Sequence, residues 1–223
     1  YVKDPQVGLH KWVVSFDLNS LYPHLIMQYN ISPETIVGMS ETHPGVDNML
    51  SKSYDTSSIK DVNQTITPNG ALFSRDKHGF LPELMHKMYS DRSATKKQML
   101  QTSQQYESTG DVQYKNMIPK LHNKQMALKI ALNSAYGAVG NQYFRFFDVR
   151  CAEAITTGGQ LSTRWVERDV NEYLNKICKT KDVDYSFYSD TDSTYITLGT
   201  FVKQNFAAPS REISWIGRSG GKI

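Results

Sequence analysis

Tyr185 to Leu198 reads Tyr-Ser-Phe-Tyr-Ser-Asp-Thr-Asp-Ser-Thr-Tyr-Ile-Thr-Leu. Tyr185 to Tyr188 is aromatic and Thr194 to Leu198 β-branched, both strand-like, and Asp190 to Ser193 between them is turn chemistry. A hairpin with two carboxylates at its tip follows. Positions two apart on an extended chain point the same way, so Asp190 and Asp192 are expected to share a face. Carboxylates held that close repel unless a cation sits between them, and hard oxygen ligands suit Mg²⁺. The same residues also suit a plain surface turn whose Asp and Ser bond their own backbone. The hairpin alone does not decide between the two.

Ser15-Phe16-Asp17-Leu18-Asn19-Ser20-Leu21-Tyr22-Pro23 bears on the choice. Trp12, Val14 and Phe16 alternate with Val13, Ser15 and Asp17, which predicts a strand ending on a carboxylate. Asn19 or Ser20 can cap a helix, and Pro23 is tolerated in its first turn. A ligand would then lie beside helix-start N–H groups, which favour phosphate. A third segment is Lys129-Ile130-Ala131-Leu132-Asn133-Ser134-Ala135-Tyr136-Gly137. On a helix Lys129, Asn133 and Tyr136 share one face, so a cation, an amide and a phenol line one surface.

In this order D-x-x-S-L-Y-P, K-x-x-x-N-S-x-Y-G and Y-x-D-T-D-S resemble motifs A, B and C of the family B DNA polymerases. The text between them, such as Ala154 to Thr157, resembles the replicative polymerases of T-even-type phages. Each motif alone recurs by chance; three in order do not. The resemblance runs from about Tyr1 to Leu198. It implies an α+β fold: a polymerase palm, an antiparallel sheet backed by helices, with an antiparallel two-helix fingers insertion. Palm is expected over 1–80 and 138–198, fingers over 81–137 and a divergent tail over 199–223. The thumb and exonuclease regions are expected to be absent, as in a fragment. Arg211 to Ile223 reads as unrelated or out-of-frame sequence.

By the same resemblance the activity is template-directed transfer of nucleotides from dNTPs to a primer 3′-hydroxyl, with two Mg²⁺ ions. Asp17 and Asp192 would be the main ligands, with the Leu18 carbonyl, and Asp190 would match a catalytic acid less often a direct ligand. Ser20, Leu21 and Tyr22 would cradle phosphates through their backbone. Arg92, Lys96 and Lys129 would neutralise the triphosphate. Tyr22 would sit where a 2′-hydroxyl would be, and Asn133 and Tyr136 against the nascent base pair. Partners would be template-primer DNA and dNTPs, with a sliding clamp and replisome proteins, in the cytoplasm of an infected bacterium. Ser189 stands where the family usually has Gly, and Ala135 where a larger residue is common. Two rival readings are a D-x-D glycosyltransferase, which leaves Asp17 and Lys129 unexplained, and a DNA- and nucleotide-binding fragment or split subunit without turnover.

Composition fits an ordinary globular chain: 223 residues, 39% hydrophobic and 21% charged, with a net charge of +3. No apolar run approaches the ~18 residues of a membrane span. Two cysteines, Cys151 and Cys178, show no metal spacing and read as reduced thiols. Around the motifs the expected elements are a helix from Ser20 to about Tyr29 stopped at Asn30, and a surface excursion over Gly38 to Gln64. That excursion is tethered by a hairpin through Ala71-Leu72-Phe73 and Asp76 to Gly79. A helix follows from Leu81 to Glu107, with Leu81, Leu84, Met85 and Met88 on one apolar face. A second helix runs from about Pro119 to Gly137, and a third from Cys151 to Ile177. The rings of 141–150 are expected to pack rather than stack on bases. Gly158-Gly159 is expected to admit another backbone.

Overall fold

The computed structural model describes residues 1–60 and 62–206; most of the divergent tail, including Arg211 to Ile223, lies outside the described residues. The elements, in chain order, are β1 (Val2–Lys3), β2 (Val13–Asp17), α1 (Leu21–Tyr29), β3 (Ile36–Met39), α2 (Val46–Leu50), α3 (Ser57–Lys60), β4 (Gln64–Ile66) and β5 (Ala71–Ser74). Then come α4 (Phe80–Thr109), α5 (Val112–Val139), α6 (Val149–Cys178), β6 (Ser186–Asp190), β7 (Ser193–Thr197) and α7 (Gly199–Asn205). This is a mixed α+β chain with antiparallel sheets, as expected. It divides into two compact units, Tyr1–Asn19 with the chain from Ser162 onward, and Ser20–Leu161. No helix among the described residues is long and apolar enough to cross a membrane.

The first unit is built on an antiparallel sheet of order β1-β6-β7-β2. One face is closed by α6 and α7: Leu174, Cys178, Tyr185 and Ile196 are buried together, with Val170, Leu198 and Phe201 packed on them. Tyr173 and Leu174 are adjacent on α6, so only one can face this core. Leu174 does so at 6% exposure, and Tyr173 stays out at 64%. The short edge strand β1 is held by Lys3, whose ammonium bonds Glu167 and, at 2.6 Å, Asp184 Oδ2. Burial works against the Lys3 charge, but the bonds to Asp184 and Glu167 outweigh it and raise its pKa.

The second unit begins at Ser20, which is left-handed (φ 55°, ψ 46°) and, of the two residues expected as caps, makes no side-chain cap to α1. A helix N-cap is normally extended, so a left-handed residue cannot aim its hydroxyl back at the first turn. Asn30 does stop the helix in the left-handed region (φ 58°). Its side-chain amide donates to Ser74 O and Lys77 O and accepts from Gly79 N–H. The excursion is more ordered than expected. It carries α2 and α3, and the partners of β5 are β4 and β3 in a three-stranded sheet, not Asp76 to Gly79. That stretch instead leads into α4, where Glu34 Oε1 accepts from Phe80 N–H at 2.6 Å.

Helices α4 and α5 form the expected antiparallel pair. Gly110 turns the chain at φ 68°, and Asp111 Oδ1 accepts from Gln113 N–H at 2.8 Å. That cap starts α5 at Val112, so Pro119 lies inside the helix rather than at its start. Leu81 and Met85 are buried while Leu84 is 45% exposed, leaving a narrower apolar face than the spacing implied. The unit shares one core, in which Ile26, Phe73, Met85, Leu132 and Ile155 are almost wholly buried. Phe144 packs against this core and Phe146 lies 4.9 Å from Phe80, as expected of packing rings, whereas Tyr143 is 87% exposed. Gly158 and Gly159 admit side chains, not a backbone. A Cβ at Gly159 would meet Tyr22 Cε1 at 3.1 Å, and one at Gly158 would meet Leu25 and Tyr29 at 3.6 Å.

Candidate active site

In the first unit the strand register gathers the acids. Asp17 pairs with Ser193 from one side and Asp190 pairs with it from the other, so the two carboxylate-bearing residues flank the first residue of β7. Thr191 and Asp192 form the two-residue turn between β6 and β7. Asp190 and Asp192 are therefore not two residues apart on one extended strand, as the sequence suggested. Thr191 intervenes at φ 50°. The backbone ties the turn to β2 instead: Leu18 N–H donates to Asp192 O at 2.8 Å.

The Asp192 carboxyl has a raised pKa, first because burial disfavours its charge, then because Asp17 and Asp190 repel it. The charge of Asp17 weighs more on it than that of Asp190. Among the described residues no three His, Cys, Asp or Glu side chains converge on one point. The donors on offer would be Asp17, Asp192 and adjacent backbone carbonyls. They fit Mg²⁺, which keeps its waters and takes one or two carboxylates together with substrate phosphates.

The other candidates lie in the second unit. Arg92 and Lys96 are one turn apart on α4, and Lys129, Asn133 and Tyr136 follow one face of α5. Lys129 and Asn133 are exposed, and Tyr136 is half-buried with its ring 4.9 Å from that of Tyr22. Leu21 is buried at the start of α1, beside Ser20. Arg92 Nη1 reaches Ser20 Oγ at a long 3.5 Å, while its Nε is buried without a hydrogen-bond partner among the described residues. Lys96 and Lys129 have no ion-pair partner there either. A buried unsatisfied guanidinium donor is costly unless an acceptor arrives. None of the three cations has an anionic partner among the described residues.

Sequence reasoning passed over an aromatic cleft beside the carboxylate hairpin. His10 stacks on Phe187 at 4.0 Å, and Tyr188 and Tyr195 line the same cleft. The alternation of Phe187 with Ser186 and Tyr195 with Thr194 could have signalled an aromatic open face of the sheet. Nothing in the sequence pointed to His10.

The first unit thus carries acids clustered at a hairpin tip and a neighbouring strand end, and the second carries basic residues without ion-pair partners on its long helices among the described residues. The chain belongs to DNA polymerase family B, whose sequence model matches residues 1–214, so the likeness extends past Leu198 and reaches into the segment expected to be a divergent tail. It is 35% identical to the DNA-directed DNA polymerase of Escherichia phage RB69 over 91% of its own length and 26% of that protein. To the DNA-directed DNA polymerase of Enterobacteria phage T4 it is 30% identical, over 92% of this chain and 27% of that one. DNA polymerase 1 of Pyrococcus abyssi is 31% identical over 89% of the chain and 21% of its own length. The chain thus spans about a quarter of the curated relatives it matches. Family membership sets aside the glycosyltransferase reading.

Proposed function

We propose that this chain carries the nucleotidyl-transfer centre of a template-directed DNA polymerase, with template-primer DNA and dNTPs as substrates. The observation that carries the reading is the register that flanks Ser193 with Asp17 and Asp190 while Leu18 N–H holds the Asp192 backbone. It keeps two mutually repelling carboxylates together, an arrangement whose use is a cation. Residues 1–80 and 138–198 act as palm and 81–137 as fingers.

Asp17 and Asp192 hold the metal ions, the Leu18 carbonyl adds a ligand, and Asp190 supports the pair. Two Mg²⁺ ions, when bound, supply a lowered pKa at the primer 3′-hydroxyl and charge neutralisation at the leaving pyrophosphate. The protein's part is positioning and charge. Arg92, Lys96 and Lys129 neutralise the triphosphate, and the buried Nε of Arg92 gains the acceptor it lacks. Backbone groups of Ser20, Leu21 and Tyr22 face the phosphates at the start of α1. Asn133 and Tyr136 lie against the new base pair. The Tyr22 ring, pressed by Tyr136 and by the Gly159 face of α6, excludes a 2′-hydroxyl. A sliding clamp and replisome proteins are the expected partners, in the infected bacterial cell.

The test is primer extension by a chimera carrying this chain in place of the matching segment of the phage RB69 polymerase. Asp17→Ala and Asp192→Ala should each abolish Mg²⁺-dependent extension with the fold intact, and Asp190→Ala should do less harm. Near-normal single-turnover rates for Asp17→Ala would overturn the assignment. Tyr22→Ala should raise ribonucleotide use relative to deoxynucleotide by about a hundredfold, roughly 3 kcal/mol of lost discrimination. Competition between the two nucleotides measures it, and an unchanged ratio would remove Tyr22 from this role.

A further inference from the structure

The carboxylate hairpin turns on a residue ill-suited to its conformation. Thr191 has φ 50°, in the left-handed region that a β-branched side chain rarely adopts. Such a conformation persists where surrounding contacts over-determine it, and here contacts from three directions do so. Thr191 N–H donates to Tyr1 O at 2.9 Å, across the edge of the sheet. Thr191 Oγ1 donates to Asp190 Oδ1 at 2.9 Å. The third contact comes from α6: Thr163 Oγ1 donates to Thr191 O at 2.7 Å.

Thr163 behaves unlike other threonines in the long helices of this chain. Thr95, Thr102 and Thr157 direct their hydroxyls to the carbonyl four residues earlier in their own helix, the ordinary habit of a helical threonine. Thr163 is 1% exposed and directs its hydroxyl to a turn 28 residues further on. The Thr191 carbonyl it holds belongs to the peptide unit that leads into Asp192. That carbonyl and the Asp192 N–H share one peptide plane, so a hydroxyl on α6 constrains the backbone that carries a proposed ligand.

We propose that Thr163 is a positioning residue for the carboxylate pair. Its hydroxyl locks the Thr191 peptide and thereby sets how tightly Asp17 and Asp192 take a divalent cation. The proposal rests on the reading of Asp17 and Asp192 as cation ligands. Within that reading it separates the residues that bind from the one that aims.

The experiment is Mn²⁺ titration of the full chain by electron paramagnetic resonance, with far-UV circular dichroism and thermal midpoints in EDTA as checks on folding. Thr163→Val keeps the shape and removes the hydroxyl; Thr163→Ser keeps the hydroxyl and removes a methyl. Val should weaken Mn²⁺ binding by about fivefold or more, Ser by less than about twofold, a split that a purely packing role would not give. Thr191→Gly, which holds a left-handed turn unaided, should recover much of the loss when added to Thr163→Val. It also supplies the comparison if Thr163→Val alone fails to fold. Wild-type affinity in a folded Thr163→Val chain, or equal losses for Val and Ser, would overturn the proposal. Asp17→Asn separates the two levels. If Mn²⁺ binding survives it or is absent from the wild type, the ligand reading falls and this inference with it. If binding depends on Asp17 but not on the Thr163 hydroxyl, this inference alone falls.

Discussion

Burial and the neighbouring Asp17 both make Asp192 hold its proton more firmly in the folded chain than in the unfolded one. The folded state then binds more protons than the unfolded state just above the ordinary aspartate value of 3.8. Stability should be highest below that value, fall as pH rises through the window up to the raised pKa, and level off above it. Asp192→Asn removes the decline. In EDTA near neutral pH this variant should be more stable than the wild type by a few tenths of a kcal/mol, about the size expected for a partly exposed, solvent-screened group. Urea denaturation from pH 4 to 7 measures it, and a less stable Asn variant at neutral pH would contradict the coupling. Added Mg²⁺ should raise wild-type stability and leave the variant unmoved. Ser189 is fully buried with its hydroxyl near those of Ser186 and Thr194. Its side chain is absorbed into the sheet's packed side.

The two adjacent glycines of α6 differ at the scale of the element. Gly158→Ala meets Leu25 and Tyr29 at ordinary contact distance, so it should gain the helix-propensity difference of about 1 kcal/mol. Gly159→Ala places its methyl 3.1 Å from the Tyr22 ring, which must move. Thermal unfolding should show Gly158→Ala stabilised and Gly159→Ala less stable than it; equal gains would mean that the ring yields freely. The contrast also marks what was legible. The residues of all three motifs, the strand at Asp17, the stop at Asn30 and the paired helices α4 and α5 were readable because local chemistry specifies them. The left-handed Ser20, the helical Pro119 and the true neighbours of Gly159 were not. The Asp111 cap starts α5 ahead of Pro119, and the neighbours of Gly159 lie on α1, far away in sequence. The Thr191 conformation was hidden for the same reason, since its supports come from Tyr1 and Thr163.

Each unit has its own core, one around Ile155 and one around Ile196. Amide exchange under rising denaturant should therefore resolve two cooperative units. Ile155→Ala should lower the protection of α4 and α5 by roughly 2–5 kcal/mol and leave β6 and β7 little changed, with Ile196→Ala doing the reverse. Uniform loss across the chain in either variant would mean one cooperative block. The first unit is also discontinuous along the chain, with Ser20–Leu161 inserted between its two parts. On a translating ribosome at roughly 5–20 residues per second, Asp17 emerges about 10–30 s before Asp192. During that interval the inserted unit can fold completely while β2 still lacks β7, its partner in the sheet. A nascent chain therefore carries no assembled pair of acids until the hairpin arrives and β7 zips onto a strand made long before.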